Sequence, residues 1–155
     1  MKRVFIIICL CVFSLGTAQK NALKSFDVSN ASIKNPVYHY LVNNYKTISK
    51  EKKTPSNGVS DCGYTQAFSS DIIYEKRNCG DASLATGEVL TIKNPDRDSI
   101  IEWVEALNSL YSEFKEHNGW NFDQTQYRPL SNVPGAYFEI YRNKGSTTIL
   151  VMSGC

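Results

Sequence analysis

The stretch NPDRDSIIEWVEALNSLYSEFKEHNG, residues 94–119, carries the clearest secondary-structure signal in the chain. Its apolar residues recur at intervals of three and four, which is the period of one helix face; they are Ile100, Trp103, Val104, Leu107, Leu110, Tyr111 and Phe114. Residues 99–102 fit a capping box, and Asn118-Gly119 is a typical helix end. We therefore predict a long amphipathic helix over about residues 98–117, with Trp103 on its buried side.

A second, shorter helix is predicted over about residues 36–50. Asn35 suits the N-cap of a helix, and Pro36 suits its first position. Apolar residues continue on one helical face as far as Ile48. The Pro-Ser-Asn-Gly cluster at residues 55–58 then breaks the pattern.

The rest of the chain predicts strands and turns. Residues 64–77 predict one strand or a bent pair, and Leu84 to Ile92 predict another. At the C-terminus, residues 137–142 and 147–152 predict a β-hairpin across a turn that contains a glycine. Strands joined by short turns favour an antiparallel sheet with helices packed on one face. The sequence thus predicts a single α+β domain over residues 35–155, without an internal repeat.

Composition and charge narrow the classes of protein that fit. The chain has 155 residues, of which 42% are apolar and 21% charged, and this balance fits one globular domain rather than a fibrous, coiled-coil or disordered chain. The formal net charge is +2, and it falls to zero without Lys2 and Arg3. A chain of balanced charge has no general attraction for phosphate backbones, so we expect no nucleic-acid partner.

The N-terminus has the pattern of a secretory signal peptide. A short basic segment precedes the apolar run from Val4 to Leu15, and small residues follow it. The alternative is a membrane anchor, but this run is too short to cross a bilayer as a helix. We expect cleavage after Ala18, a loosely ordered lead-in over residues 19–34, and a secreted or periplasmic product without a membrane span.

Three cysteines remain after residues 1–18 are removed, and disulfides persist in exported proteins. Cys62 and Cys79 each precede a glycine in a predicted turn, and we expect these two to form a disulfide. Cys155 is the alternative partner of either one.

Residue patterns that carry catalysis or bind cofactors are sparse. The two histidines, His39 and His117, fit a helix and a helix end. The chain has no His-Glu-x-x-His, Cys-x-x-Cys or glycine-rich phosphate loop, so we expect neither a metal nor a cofactor. Glu75, Glu88 and Glu139 could pair across neighbouring strands as the carboxylates of a glycosidase do, but any sheet protein offers such pairs.

Aromatic residues are the remaining functional signal. Tyrosine and tryptophan are enriched at protein interfaces, because they combine a large apolar surface with a polar tip. We place Trp120 on an exposed or half-exposed loop and predict a binding surface formed by Trp120, Phe122 and Tyr127. Tyr137 and Tyr141, on either side of Glu139, fit ordinary strand packing as well as an interface.

These observations predict a small exported soluble protein that binds an unknown protein or small ligand without catalysis, such as an inhibitor or an immunity-type module. The alternative is a small secreted hydrolase that uses His39, His117 or strand carboxylates.

Overall fold

The computed structural model describes residues 21–54, 63–77, 86–111, 118–130 and 135–154. They form one antiparallel sheet of eight strands in the order β1-β2-β3-β4-β8-β7-β6-β5. The strands are β1 (Lys52–Lys53), β2 (Tyr64–Phe68), β3 (Ile72–Arg77), β4 (Thr86–Lys93), β5 (Asn118–Trp120), β6 (Gln126–Pro129), β7 (Gly135–Asn143) and β8 (Ser146–Gly154). Two α-helices accompany the sheet, α1 (Pro36–Asn44) and α2 (Arg97–Asn108). The chain is therefore a mixed α+β domain, as the sequence predicts.

The architecture consists of two similar halves. Each helix is followed by four strands that pair in succession, and the two four-stranded units join where β4 pairs antiparallel with β8. An approximate two-fold axis therefore passes between β4 and β8. This doubling lies in the order of the helices and strands rather than in an extended repeat of the sequence. One short sequence is also repeated. Ile-Lys-Asn-Pro occurs at the start of each helix, at residues 33–36 and 92–95.

The core lies between the helices and one face of the sheet. Alternate residues of each strand point towards the helices, because successive side chains of a strand lie on opposite faces. Trp103 of α2 is 1% exposed and contacts Phe26 and Tyr40 edge-on, with ring centroids 6.0 and 5.5 Å away. The predicted burial of Trp103 is thus confirmed. Phe26 and Leu23 belong to the segment predicted as a lead-in, and both are buried in this core.

The first helix is shorter than the predicted range of residues 36–50. It ends at Asn44, and Tyr45 has extended backbone angles. The backbone of the next residues bonds to β2 instead, since the N–H of Ile48 donates to the carbonyl of Ala67 at 2.8 Å. Pairing with a strand thus replaces the last turns of the predicted helix, and it leaves the Ile48 side chain exposed.

The second helix also differs from its predicted range of residues 98–117. It begins at Arg97, where the Asp96 side chain accepts a hydrogen bond from the N–H of Ser99, and it ends at Asn108. Residues 112–117 lie outside the described residues. The predicted helix end at Asn118-Gly119 is wrong, because these residues begin β5. The Asn118 side chain donates to Asn108 Oδ1 and to a carbonyl of β7, so tertiary contacts determine the conformation there.

A buried glutamate fixes the start of α1. Asn35 occupies the N-cap with a positive φ of 56°, and its side chain forms no capping hydrogen bond. Glu88 of β4 takes over this function, because its carboxylate accepts hydrogen bonds from the N–H groups of Val37 and Tyr38 at 3.2 and 3.1 Å. The Tyr74 hydroxyl donates to the same carboxylate at 2.8 Å. One carboxylate therefore connects α1, β3 and β4.

Replacement of Glu88 is expected to destabilise the fold strongly. Glu88→Ala leaves the helix N–H groups and the Tyr74 hydroxyl without their acceptor in a buried position, which should lower the free energy of unfolding by about 3 kcal/mol. Glu88→Gln keeps one acceptor oxygen and should lose roughly half as much. Urea unfolding measures both effects.

The matched control is Glu102→Ala, which removes an exposed glutamate from α2. If Glu88→Ala unfolds at the same urea concentration as Glu102→Ala, the buried carboxylate does not stabilise α1.

Candidate interaction surface

The three predicted binding residues, Trp120, Phe122 and Tyr127, lie in β5, in the turn that follows it and in β6. Trp120 lies in strand β5 rather than in a loop, and its indole N–H donates to Glu105 of α2 at 2.8 Å. Its ring centroid lies 4.9 Å from that of Tyr127, and both rings pack half-buried against the edge of the core. Phe122 lies in the turn between β5 and β6 and is fully exposed. Trp120 and Tyr127 thus contact each other and the edge of the core, whereas Phe122 is exposed in the adjacent turn.

The face of the sheet that points away from the helices is a more extensive candidate. We call it the open face. Its members are the residues that alternate along each strand with the buried core residues, because successive side chains lie on opposite faces. In the part of the chain that the structure describes, neither helix covers it. Its central side chains are Ile73, Glu75, Arg77, Val89, Thr91, Thr148, Leu150, Met152, Tyr137, Glu139 and Tyr141.

The centre of the open face reflects the two-fold architecture. In one row across the sheet, Glu75 pairs with Val89, Val89 with Leu150, and Leu150 with Glu139. Two apolar residues thus lie at the approximate axis, and one glutamate flanks them on each side. Val89 is only 3% exposed, so the centre of this row is shielded from solvent.

Hydrogen bonds hold the charged groups on both sides of this centre. Arg77 Nε donates to Glu75 at 2.8 Å, and this hydrogen bond raises the pKa of Arg77. On β7, the Tyr141 hydroxyl donates to Glu139, and this bond raises the pKa of Tyr141. Each glutamate therefore accepts a hydrogen bond from the residue two positions later in its own strand.

Exposed apolar groups accompany these polar pairs. In the adjacent row, Ile73 on β3 is 50% exposed and Tyr141 on β7 is 51% exposed, with Thr91 and Thr148 between them. Beside Ile73 the face continues into a groove of about 650 Å³, which Ile48 and Ala67 also line. A face with exposed aliphatic and tyrosine side chains and prepositioned polar groups suits contact with a protein.

Among the residues considered for hydrolysis, the structure describes Glu75, Glu88, Glu139 and His39. Glu75 and Glu139 lie three strand spacings apart, about 14 Å between their backbones, and each carboxylate is hydrogen-bonded to a residue of its own strand. Glu88 lies on the opposite face and is engaged by α1 and Tyr74. His39 is on α1 with its Nδ1 beside the Asn43 amide, 3.3 Å away, and His117 lies outside the described residues.

Two further predictions concern cysteines and metals. Cys62, Cys79 and Cys155 all lie outside the described residues. Within the described ranges, no group of three or more His, Cys, Asp or Glu side chains is placed to hold a metal ion. In the same ranges, no helix is long and apolar enough to cross a membrane.

The tyrosines divide into those of the open face and those of the core. Burial raises the pKa of Tyr64 to about 12, and the charges of neighbouring Tyr38 and Glu51 raise it less. Burial also raises the pKa of Tyr40 and of Tyr74, with a further contribution to Tyr74 from the charge of Glu88. These core tyrosines are packing residues, which leaves Tyr137 and Tyr141 as the tyrosines of the candidate surface.

The sequence contains a signal for the open face. Tyr137, Glu139 and Tyr141 alternate with the apolar residues Phe138 and Ile140, a period of two that places all three on one side of a strand. What this pattern does not reveal is whether a second layer covers that side. For Trp120 the sequence contains no comparable signal, because its contacts with Glu105 and Tyr127 depend on the packing of β5 against α2 and β6.

Comparison with known proteins finds no family model that matches this chain, no matching curated protein and no matching solved structure.

Alkaline pH is expected to destabilise the protein through the core tyrosines. Their pKa values are raised in the folded state, so above about pH 10 the unfolded chain loses phenol protons that the folded chain retains. The free energy of unfolding should therefore be constant up to about pH 9.5 and fall between about pH 10 and pH 12. Urea unfolding across this range, with tyrosinate absorbance recorded in parallel, measures the effect.

The variant Tyr74→Phe removes one of these phenols and should reduce the slope of stability against pH, whereas Tyr141→Phe on the open face should change it less. Equal slopes for wild type and Tyr74→Phe would contradict the conclusion that burial raises the pKa of Tyr74 in the folded state.

Proposed function

We propose that this protein is a small exported protein that binds another protein, without catalysis, through the open face of its sheet. The observation that carries the proposal is an eight-stranded sheet with both helices on one side, in the described part of the chain. Its other side presents Tyr141 and Ile73 half exposed in one row. An inhibitor or an immunity-type module would use such a surface.

The physical properties of the open face support a protein partner over a small ligand. Its central rows extend across four strands, β3, β4, β8 and β7, about 14 Å between the outer backbones, which is wide enough for several side chains of a partner. Tyrosine supplies contact area at a low cost in side-chain entropy. The Glu75–Arg77 and Glu139–Tyr141 pairs are already ordered by their own hydrogen bonds, so less conformational freedom is lost on binding.

The edges of the sheet make strand addition a less suitable mode of binding. The outer strands β1 and β5 have two and three residues, and such short edges offer few main-chain groups to a partner strand. Contact through side chains of the open face remains as the mode that the architecture favours.

Export is the second part of the proposal. It rests on the basic and apolar segments of the N-terminus, which lie outside the described residues. The expected location is the periplasm or the extracellular medium, where a disulfide between Cys62 and Cys79 would persist.

Mass spectrometry of exported material tests this part. The intact mass should show a chain that begins at Gln19, and peptide mapping without reduction should link the peptides of Cys62 and Cys79. A chain that retains residues 1–18 would contradict export through a cleaved signal, and a linked peptide that contains Cys155 would contradict the proposed disulfide.

Site-specific crosslinking in the native host tests the binding face. A photoreactive benzoylphenylalanine in the change Tyr141→benzoylphenylalanine should give a discrete adduct with another protein, because the side chain lies at the proposed contact. The control, Glu102→benzoylphenylalanine, places the same group on the exposed side of α2 and should give no such adduct. Once the partner is identified, Tyr141→Ala should weaken binding by roughly tenfold or more.

Adducts of equal yield from both positions, or an adduct from the Glu102 position alone, would show that the open face is not the binding surface. An unchanged affinity of Tyr141→Ala for the crosslinked protein would lead to the same conclusion.

A further inference from the structure

A polar cavity lies at one end of the sheet, on the side of the helices and away from the open face. The first turn of α2, the β5–β6 turn and the β7–β8 turn meet there around a volume of about 360 Å³. Its charged and amide side chains are those of Arg97, Arg142, Asp123, Asn94 and Asn143. We call it the arginine pocket.

A single residue holds the two arginines side by side. Arg97 Nη2 donates to the side-chain oxygen of Gln124 at 2.5 Å, and Arg142 Nη2 donates to the backbone carbonyl of the same residue at 2.9 Å. Gln124 has a φ of 55°, a left-handed backbone conformation that is uncommon for a residue with a side chain. Each guanidinium carries five N–H groups, so these bonds orient both cations and leave donors for a ligand.

The pocket has an excess of positive charge. Partial burial lowers the pKa of Arg142, and the neighbouring charge of Arg97 lowers it further, while Asp123 acts in the opposite direction. The Asp123 carboxylate is itself engaged by the hydroxyl and the N–H of Thr125, and these bonds lower its pKa. Two guanidiniums thus face one carboxylate that is already hydrogen-bonded.

The acids of the first helical turn reduce this excess only in part. Asp96 accepts a hydrogen bond from the N–H of Ser99 as the cap of α2, and Asp98 is exposed. Neither of these two side chains lines the cavity.

We infer that the arginine pocket binds a small molecule through an oxyanion group, a phosphate or a carboxylate. Planar guanidiniums bind such groups through paired, charge-assisted hydrogen bonds. An anion between Arg97 and Arg142 would also relieve the repulsion between their charges, and the amides of Asn94 and Asn143 provide further donors. The pocket lies on the opposite side of the sheet from the proposed protein-binding face, so the two proposals stand independently.

Titration of the full exported chain with inorganic phosphate and with acetate tests the inference, at an ionic strength held constant with chloride. Calorimetry measures affinity, and the backbone amide signals of residues 94, 96, 97 and 142–147 in nuclear magnetic resonance spectra locate the site. Saturable binding of phosphate or acetate should shift these signals. Arg97→Gln and Arg142→Gln should each weaken binding about tenfold or more, because each removes a charge-assisted contact.

The control is Arg128→Gln, which removes an exposed arginine from β6 outside the pocket and should bind as wild type does. Stronger binding of phosphate assigns the ligand to phosphorylated molecules, and stronger binding of acetate assigns it to carboxylates. The inference is overturned if neither anion binds saturably, if the shifts lie elsewhere, or if Arg128→Gln weakens binding as much as the pocket variants. Thermal unfolding of each variant establishes that a loss of binding is not a loss of fold.

Discussion

Glu88 stabilises the N-terminus of α1 from a neighbouring strand, because the residue at the N-cap cannot do so. Asn35 has a left-handed backbone conformation, and its side-chain oxygen accepts a hydrogen bond from Lys76 at 2.7 Å. The N–H groups of Val37 and Tyr38, the second and third residues of the helix, would otherwise lack an acceptor. A carboxylate supplies both an acceptor and a charge that favours the positive end of the helix dipole. The position of α1 on the sheet, and with it the packing of Tyr40 and Leu41 in the core, depends on this contact.

The doubled architecture explains how a chain of this size forms a wide sheet with one uncovered side. Each half contributes one helix and four strands, and the halves join through β4 and β8, which are paired along eight residues. Two helices provide enough apolar surface for one face of the sheet. In the described part of the chain neither helix covers the other face, and its central row repeats the same residue types on both sides of the axis. The arginine pocket lies within the second half alone, between the first turn of α2, the β5–β6 turn and the β7–β8 turn.

The candidate surfaces differ in how far the sequence predicts them. The alternation around Glu139 places Tyr137 and Tyr141 on one side of a strand, since that period is a property of the backbone. The arginine pocket has no local signal at all, because Arg97 and Arg142 are 45 residues apart (142 − 97) and meet only through Gln124. The Asn118-Gly119 pair is typical of a helix end and predicts a loop at Trp120, but Asn118 is held by Asn108 and by β7.

The sequence by itself determined the α+β class, the starts of both helices and the buried stripe that includes Trp103. These features follow from local rules: the helical period, the residues that begin helices, and the alternation of strands. The tertiary structure decided where each helix ends and which face of the sheet is covered. Strand pairing at residues 46–49 shortens α1, and contacts from β7 draw Asn118 into a strand, because hydrogen bonds to distant strands satisfy the same backbone groups that a longer helix would use. The tertiary structure also decided the doubled arrangement of the sheet, since the order of strands depends on long-range pairing that no single stretch of sequence encodes.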